Sequence, residues 1–162
     1  MARFINPFYF NNLIDGNILN DVADGQDDAV RDIVRLAEQG EISIILPYSV
    51  REEAKNSNSP EHVRRAADLF IFSEPVSLTE GEQKQYRMLV DVARGNAKEE
   101  NIAADLFHVC EAAKYGGYFI TRDKRLLARA GVVSEMLQIE IVTPSQFLEQ
   151  VSIGRKQADT FR

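Results

Sequence analysis

The amino-acid sequence predicts an α/β protein, a three-layer α/β/α sandwich around a central, mostly parallel sheet. Short β-branched or aromatic runs alternate along the chain with segments of helical periodicity, the pattern made by parallel strands joined through helical crossovers. The run Ile42-Ser43-Ile44-Ile45-Leu46, closed by Pro47, has the near-continuous hydrophobicity of a strand covered on both faces. At 162 residues, with 44% hydrophobic and 27% charged side chains, the chain suits one domain with a sizeable core and is too apolar for disorder.

Phe8 to Ile14 reads as the first strand, ending at Asp15-Gly16. Val30, Ile33, Val34 and Ala37 recur at helical spacing over 27–39, and Gly40 stops that helix. After the strand at 42–46, a helix carrying Val50, Glu52 and Glu53 begins near Ser49. Lys55 to Pro60 is a loop, with Pro60 placed for the first turn of a helix over about 61–71. Val76-Ser77-Leu78 suggests a short strand, and Phe70, Ile71 and Phe72 read as core. Thr79 with Glu82 forms a capping box for a helix to about Arg94; Gly95-Asn96 breaks the pattern, and a further helix covers about 99–114. Tyr118 to Thr121 is a strand, Arg122-Asp123 leads into a short helix through Leu126, Leu127 and Ala130, and Ile139 to Val142 is the last strand. Thr143-Pro144 opens an amphipathic helix with Phe147, Leu148 and Val151. One domain thus spans 1–152, and the polar tail 153–162 is expected to fray.

A single cysteine, Cys110, allows no intrachain disulfide and reads as a small buried hydrophobe. Neither a signal-like apolar run nor a bilayer-length one is visible, so a cytoplasmic protein without a membrane partner is expected. The net charge of −6 argues against a broad basic face for nucleic acid. The arrangement of the acids therefore matters more than their sum.

In parallel α/β sheets, ligands bind beyond the carboxyl ends of the strands. Asp15 follows the first strand, and Asp123 follows the strand ending at Thr121. Glu52, with its neighbour Glu53 as rival, lies on the helix entered after the second strand, and Asp105 lies near the start of the helix that feeds the strand at 118–121. Four acids from distant segments can thus converge on one edge. Each also has a plainer reading: Asp15 as a turn residue, Asp123 as a helix N-cap, Asp105 as an acid favoured in a first helical turn. If they converge, each pair about 5 Å apart repels by roughly 3 kcal/mol at an effective dielectric of about 20. Either protons or cations must relieve that repulsion. Carboxylate oxygens are hard ligands suited to Mg²⁺ and Mn²⁺, ions able to serve in-line displacement at a phosphodiester. Arg122, Lys124, Arg125 and Arg129 cluster beside Asp123, either as solvated helix charges or as contacts for an RNA backbone. His108, one turn beyond Asp105, reads as a helix-packing or partly exposed residue rather than a catalytic one. No phosphate-cradling G-x-x-x-x-G-K loop is present.

Asp15-Gly16-Asn17-Ile18-Leu19 resembles the Asp-Thr-Asn-Val-Leu opening of PIN domains. Leu46 to Glu52 is similar to their second acidic segment, Asp105 to Ala113 to the helix carrying the third acid, and Tyr118 to Leu127 to the strand and Thr-x-Asp turn carrying the fourth. Ile141 to Leu148 resembles the closing strand and helix, so the resemblance covers about residues 8–150. It implies a PIN-like fold and a Mg²⁺- or Mn²⁺-dependent endoribonuclease in which Asp15, Glu52, Asp105 and Asp123 hold the metal. Asn17 and Thr121 would orient these acids by hydrogen bonds. Among small free-standing members the resemblance implies a VapC-type toxin with an antitoxin partner, single-stranded RNA as substrate and a possible homodimer. A catalytically inactive interaction module on the same fold is the alternative, and the segment between Glu52 and Asp105 would form an added helical arm.

Overall fold

Successive strand residues face opposite sides of a sheet, and this sequence fills both sides with apolar groups. In the computed structural model, which describes residues 4–75, 77–94 and 102–161, the strands are β1 (Asn11–Ile14), β2 (Ser43–Leu46), β3 (Ile71–Phe72), β4 (Gly116–Ile120) and β5 (Glu140–Val142). All pair in parallel, in the order β3-β2-β1-β4-β5. Leu13, Ile45, Phe119 and Ile141 enter one core layer, while Ile14, Leu46, Ile120 and Val142 enter the other. The first layer is covered by α5 (Glu80–Arg94), α6 (Ala103–Ala113), α7 (Lys124–Ala128) and α8 (Ala130–Met136). The second is covered by α1 (Gly16–Asp24), α2 (Asp28–Glu38), α3 (Tyr48–Ala54), α4 (Glu61–Ala67) and α9 (Pro144–Thr160). The architecture is a three-layer α/β/α sandwich. From β1 the chain winds outward through β2 to β3, then returns to place β4 on the other side of β1. Such a reversal opens a crevice at the carboxyl ends of the two central strands.

Several elements differ from expectation. The first strand is short because Phe8 to Phe10 turn instead: the buried Asn12 donates Nδ2 to the carbonyls of Pro7, Phe10 and Ser43, pinning that turn against β1 and β2. Helix α1 was not anticipated, since Gly16, Asn17 and Asn20 are poor helix formers. It forms because Asp15 caps it, Gly25 ends it at a positive φ of 67°, and Ile18 and Leu19 bury one face. The helix expected over 61–71 ends at Ala67, and Ile71-Phe72 pairs with β2 as an edge strand. Both residues stand out into solvent rather than in the core. The strand expected at 76–78 is not formed at Ser77 and Leu78, while Val76, the break at Gly95-Asn96 and the start expected near 99 lie outside the described residues. The tail expected to fray continues as helix to Thr160, launched by the capping box of Thr143 and Gln146. Its Gly154 lies against Asn6 and Phe8, where a Cβ would come within 3.1 Å of both. Among the described residues no helix is long and apolar enough to cross a membrane.

The β1–β4 seam is tightest at Gly116, opposite a register shift between Asn11 and Asn12. A Cβ there would come within 2.5 Å of the Asn11 carbonyl oxygen and would overlap the Leu13 side chain. Backbone on one side and a fully buried leucine on the other leave little room to adjust. Gly116→Ala is expected to lower stability by about 2 kcal/mol, within the range for overpacking a close-packed site, read as a lower urea midpoint with an unchanged m-value.

Candidate active site

Parallel strands that end side by side deliver the residues that follow them to one place. Asp15 follows β1 and Thr121 follows β4, and the amide of Asp15 donates to the Ile120 carbonyl at 3.0 Å. The Thr121 hydroxyl donates to Asp15 Oδ2 at 2.8 Å. Asn17 Nδ2 donates to that same oxygen at 3.2 Å and to Thr121 Oγ1 at 3.1 Å, while Gly16 N donates to Asp15 Oδ1 at 2.8 Å. Asn17 Oδ1 accepts from the amide of Arg122, and Thr121 Oγ1 accepts from the amide of Asp123. Asp123 then caps α7, its Oδ1 accepting from the amides of Arg125 and Leu126 at 2.9 and 3.1 Å. Asp15 and Asp123 are thereby fixed as N-caps of α1 and α7 and as two acids on one seam.

The cleft above this seam, about 390 Å³, is lined by Asp15, Asn17 and Asp123, by Asp105 and His108 of α6, by Val50 and Glu53 of α3, and by Val63 of α4. Asp105 sits in the first turn of α6 and lines the cleft together with Asp15 and Asp123. Burial, and then the charges of Asp123 and Asp15, push its carboxyl up to about 6, with His108 pulling the other way. An aspartate that retains its proton to that pH marks a site partly withdrawn from water and crowded with acids. Three of the four expected acids, Asp15, Asp105 and Asp123, therefore line one cleft.

Glu52 does not join them. Helix α3 begins at Tyr48, and its buried residues Val50 and Ala54 fix its rotation. Adjacent helical residues point about 100° apart, so Glu53 lines the cleft with Val50 while Glu52 does not and instead lies 3.3 Å from Arg51. Glu53 stands one helical turn after the buried Val50, the phase that brings it to the cleft.

The basic cluster is also partly committed elsewhere. Arg122 donates to Asp21 through Nε and to Asp27 through its guanidinium, at 2.6 and 2.5 Å. Arg129 donates to the carbonyls of Ala93, Arg94 and Arg125, closing the end of α5. Lys124 and Arg125 are exposed and follow Asp123 directly in the chain. Cys110 is buried, which pushes its thiol up to about 12 and leaves it unreactive at neutral pH.

A hard divalent cation suits this donor set in chemistry, since the cleft offers carboxylate oxygens from several acids whose mutual repulsion a cation would relieve. As placed, the acids are spread along the walls: among the described residues, no three His, Cys, Asp or Glu side chains form a group ready to hold an ion. No protein-family model matches the chain, and no curated protein matches it.

The unfolded chain releases the Asp105 proton near the ordinary value of 3.8, whereas the folded chain keeps it to about 6. The folded state thus binds more protons in that window, so this residue makes folding less favourable as pH rises from about 4 to 6 and keeps it so above. Without metal, Asp105→Asn is expected to raise stability at pH 7 by about 1 kcal/mol, a value discounted for solvent screening at a partly exposed site. The gain should vanish below about pH 4 in paired thermal melts.

Proposed function

We propose that this chain is a PIN-like endoribonuclease that hydrolyses RNA phosphodiester bonds with Mg²⁺ or Mn²⁺. The observation carrying this reading is that Asp15, Asp105, Asp123 and Glu53 line one cleft, in which burial and the charges of Asp123 and Asp15 push the Asp105 carboxyl up. Asp15, Glu53, Asp105 and Asp123 are the residues that would hold the metal. When bound, the ion supplies activation of water and neutralisation of charge at the leaving oxygen. Thr121 and Asn17 hold the Asp15 carboxylate in one orientation, so that donor needs no rearrangement. Two backbone amides do the same for Asp123. Lys124 and Arg125, exposed next to Asp123, are the cations positioned to meet a phosphate backbone. A net charge of −6 keeps that contact local, which favours a single strand entering the cleft over a duplex laid across a basic face. By the resemblance to PIN domains, the proposal extends to a cytoplasmic toxin silenced by an antitoxin, and to a homodimer.

A second reading, a non-catalytic interaction module, is favoured by the free edge of the sheet at β3. There Leu69 and Ile71 are 73% and 76% exposed beside a half-exposed Phe72, an apolar patch of the kind that marks interaction surfaces.

Incubation of the purified protein with a mixed RNA pool and Mn²⁺ separates the two. Nuclease action requires cleavage that Asp105→Asn, Asp123→Asn and Glu53→Gln each reduce about a hundredfold or more, while Glu52→Gln stays within about twofold of wild type. Absence of cleavage with both Mn²⁺ and Mg²⁺ would leave the interaction module as the better account. A Glu52→Gln loss as deep as that of Glu53→Gln would overturn the assignment of the fourth acid.

A further inference from the structure

Behind Glu53 runs a chain of polar groups, Glu111, Ser49 and His108, that the nuclease proposal does not use. Helices α3 and α6 meet face to face there. Glu111 is buried in α6, and its Oε1 accepts from Ser49 N at 2.8 Å and from Ser49 Oγ at 2.9 Å. Ser49 Oγ lies 2.6 Å from His108 Nδ1. The other imidazole nitrogen, Nε2, faces the cleft 3.1 Å from Glu53 Oε1. The chain therefore runs Glu111, Ser49, His108, Glu53, from the interior to the cleft.

Exposure along the chain changes abruptly. The His108 side chain is 5% exposed and the Glu53 side chain 63%. A solvent-facing glutamate samples many rotamers, and confining it costs up to about 2 kcal/mol of side-chain entropy. Asp15 and Asp123 are held by backbone amides and by Thr121, whereas His108 is the neighbour at ion-pair distance that gives Glu53 one address. His108 is in turn fixed through Nδ1 by Ser49, which Glu111 holds at both its amide and its hydroxyl. A buried carboxylate, a serine and a histidine are thus arranged to orient one exposed acid.

We infer that His108 is a positioning residue for Glu53, braced by Ser49 and Glu111, and that it sets the affinity of the cleft for divalent metal. This rests on the nuclease reading above, with Glu53 as the fourth acid. Asparagine places an amide where Nδ1 stands and glutamine where Nε2 stands, so the two substitutions separate the bracing contact from the positioning one. Mn²⁺ binding, read from the electron paramagnetic resonance of the free ion, and the Mn²⁺ concentration giving half-maximal RNA cleavage are measured for wild type, His108→Leu, His108→Asn and His108→Gln, each checked for folding by its thermal melt.

The expected result is metal affinity weakened about tenfold or more in His108→Leu and His108→Asn, the range found when a group orienting a ligand is lost, with His108→Gln within about threefold of wild type. Glu53→Gln combined with His108→Leu should weaken binding no further than Glu53→Gln alone. Folded His108→Leu with wild-type metal affinity overturns the inference and leaves the nuclease reading standing. So does His108→Gln as weak as His108→Leu while His108→Asn is normal, since the role would then be packing through Ser49. A wild-type protein that neither binds Mn²⁺ nor cleaves RNA removes the nuclease reading and this inference with it.

Discussion

The hydrogen bond from the Thr121 hydroxyl to Asp15 Oδ2 crosses the seam between β1 and β4, and the cleft is built around it. Thr121 is fully buried, and its oxygen also accepts from Asn17 and from the amide of Asp123. The backbone ladder sets the distance between β1 and β4, and this one hydroxyl ties together the acids that follow the two central strands. Buried polar groups of this kind are costly unless satisfied, and here each named partner answers another. The seam depends in turn on β4 lying close to β1, for which Gly116 leaves space.

Charge explains the remaining character of the cleft. Arg122, the nearest arginine in sequence, is drawn away by Asp21 and Asp27, so its charge is spent on the surface between α1 and α2. Arg129 is spent on carbonyls at the end of α5. Asp105, left among acids and partly withdrawn from water, responds by holding its proton to about pH 6. An acidic protein need not carry this burden at one spot, and the repulsion is concentrated where the sheet topology opens.

Much of this could be read from the chain alone, for reasons that differ by element. The strands were legible because β-branched and aromatic runs buried on two sides leave an unbroken signature. Asp15 was legible because it follows such a run directly, and Asp123 because it comes within three residues of the end of another. Helix α1 was hidden behind Gly16 and Asn17, whose low propensity is overridden by Asp15 as cap and by tertiary packing of Ile18 and Leu19. Strand β3 has only two residues, too short for a periodic signal, and its exposure contradicts the core reading that Ile71 and Phe72 invite. Adjacent Glu52 and Glu53 could be separated only by helix phase, which Val50 and Ala54 fix through burial. The ties of Arg122 and Arg129 join residues distant in sequence and left no local trace.

The two walls of the cleft are built on different principles, and that difference bears on how it could accommodate an ion. Asp15 and Asp123 are caps, held by backbone amides that move only if α1 or α7 moves. Glu53 is a long side chain on the outer part of α3, with one buried histidine for support. A small ion with strict octahedral demands is best served by rigid donors, while a larger or more tolerant one accepts donors that adjust. With half its wall rigid and half adjustable, the cleft owes its discrimination to whatever limits Glu53. The acids nearest the sheet give the site its charge, and the helix opposite determines how closely that charge can be shared.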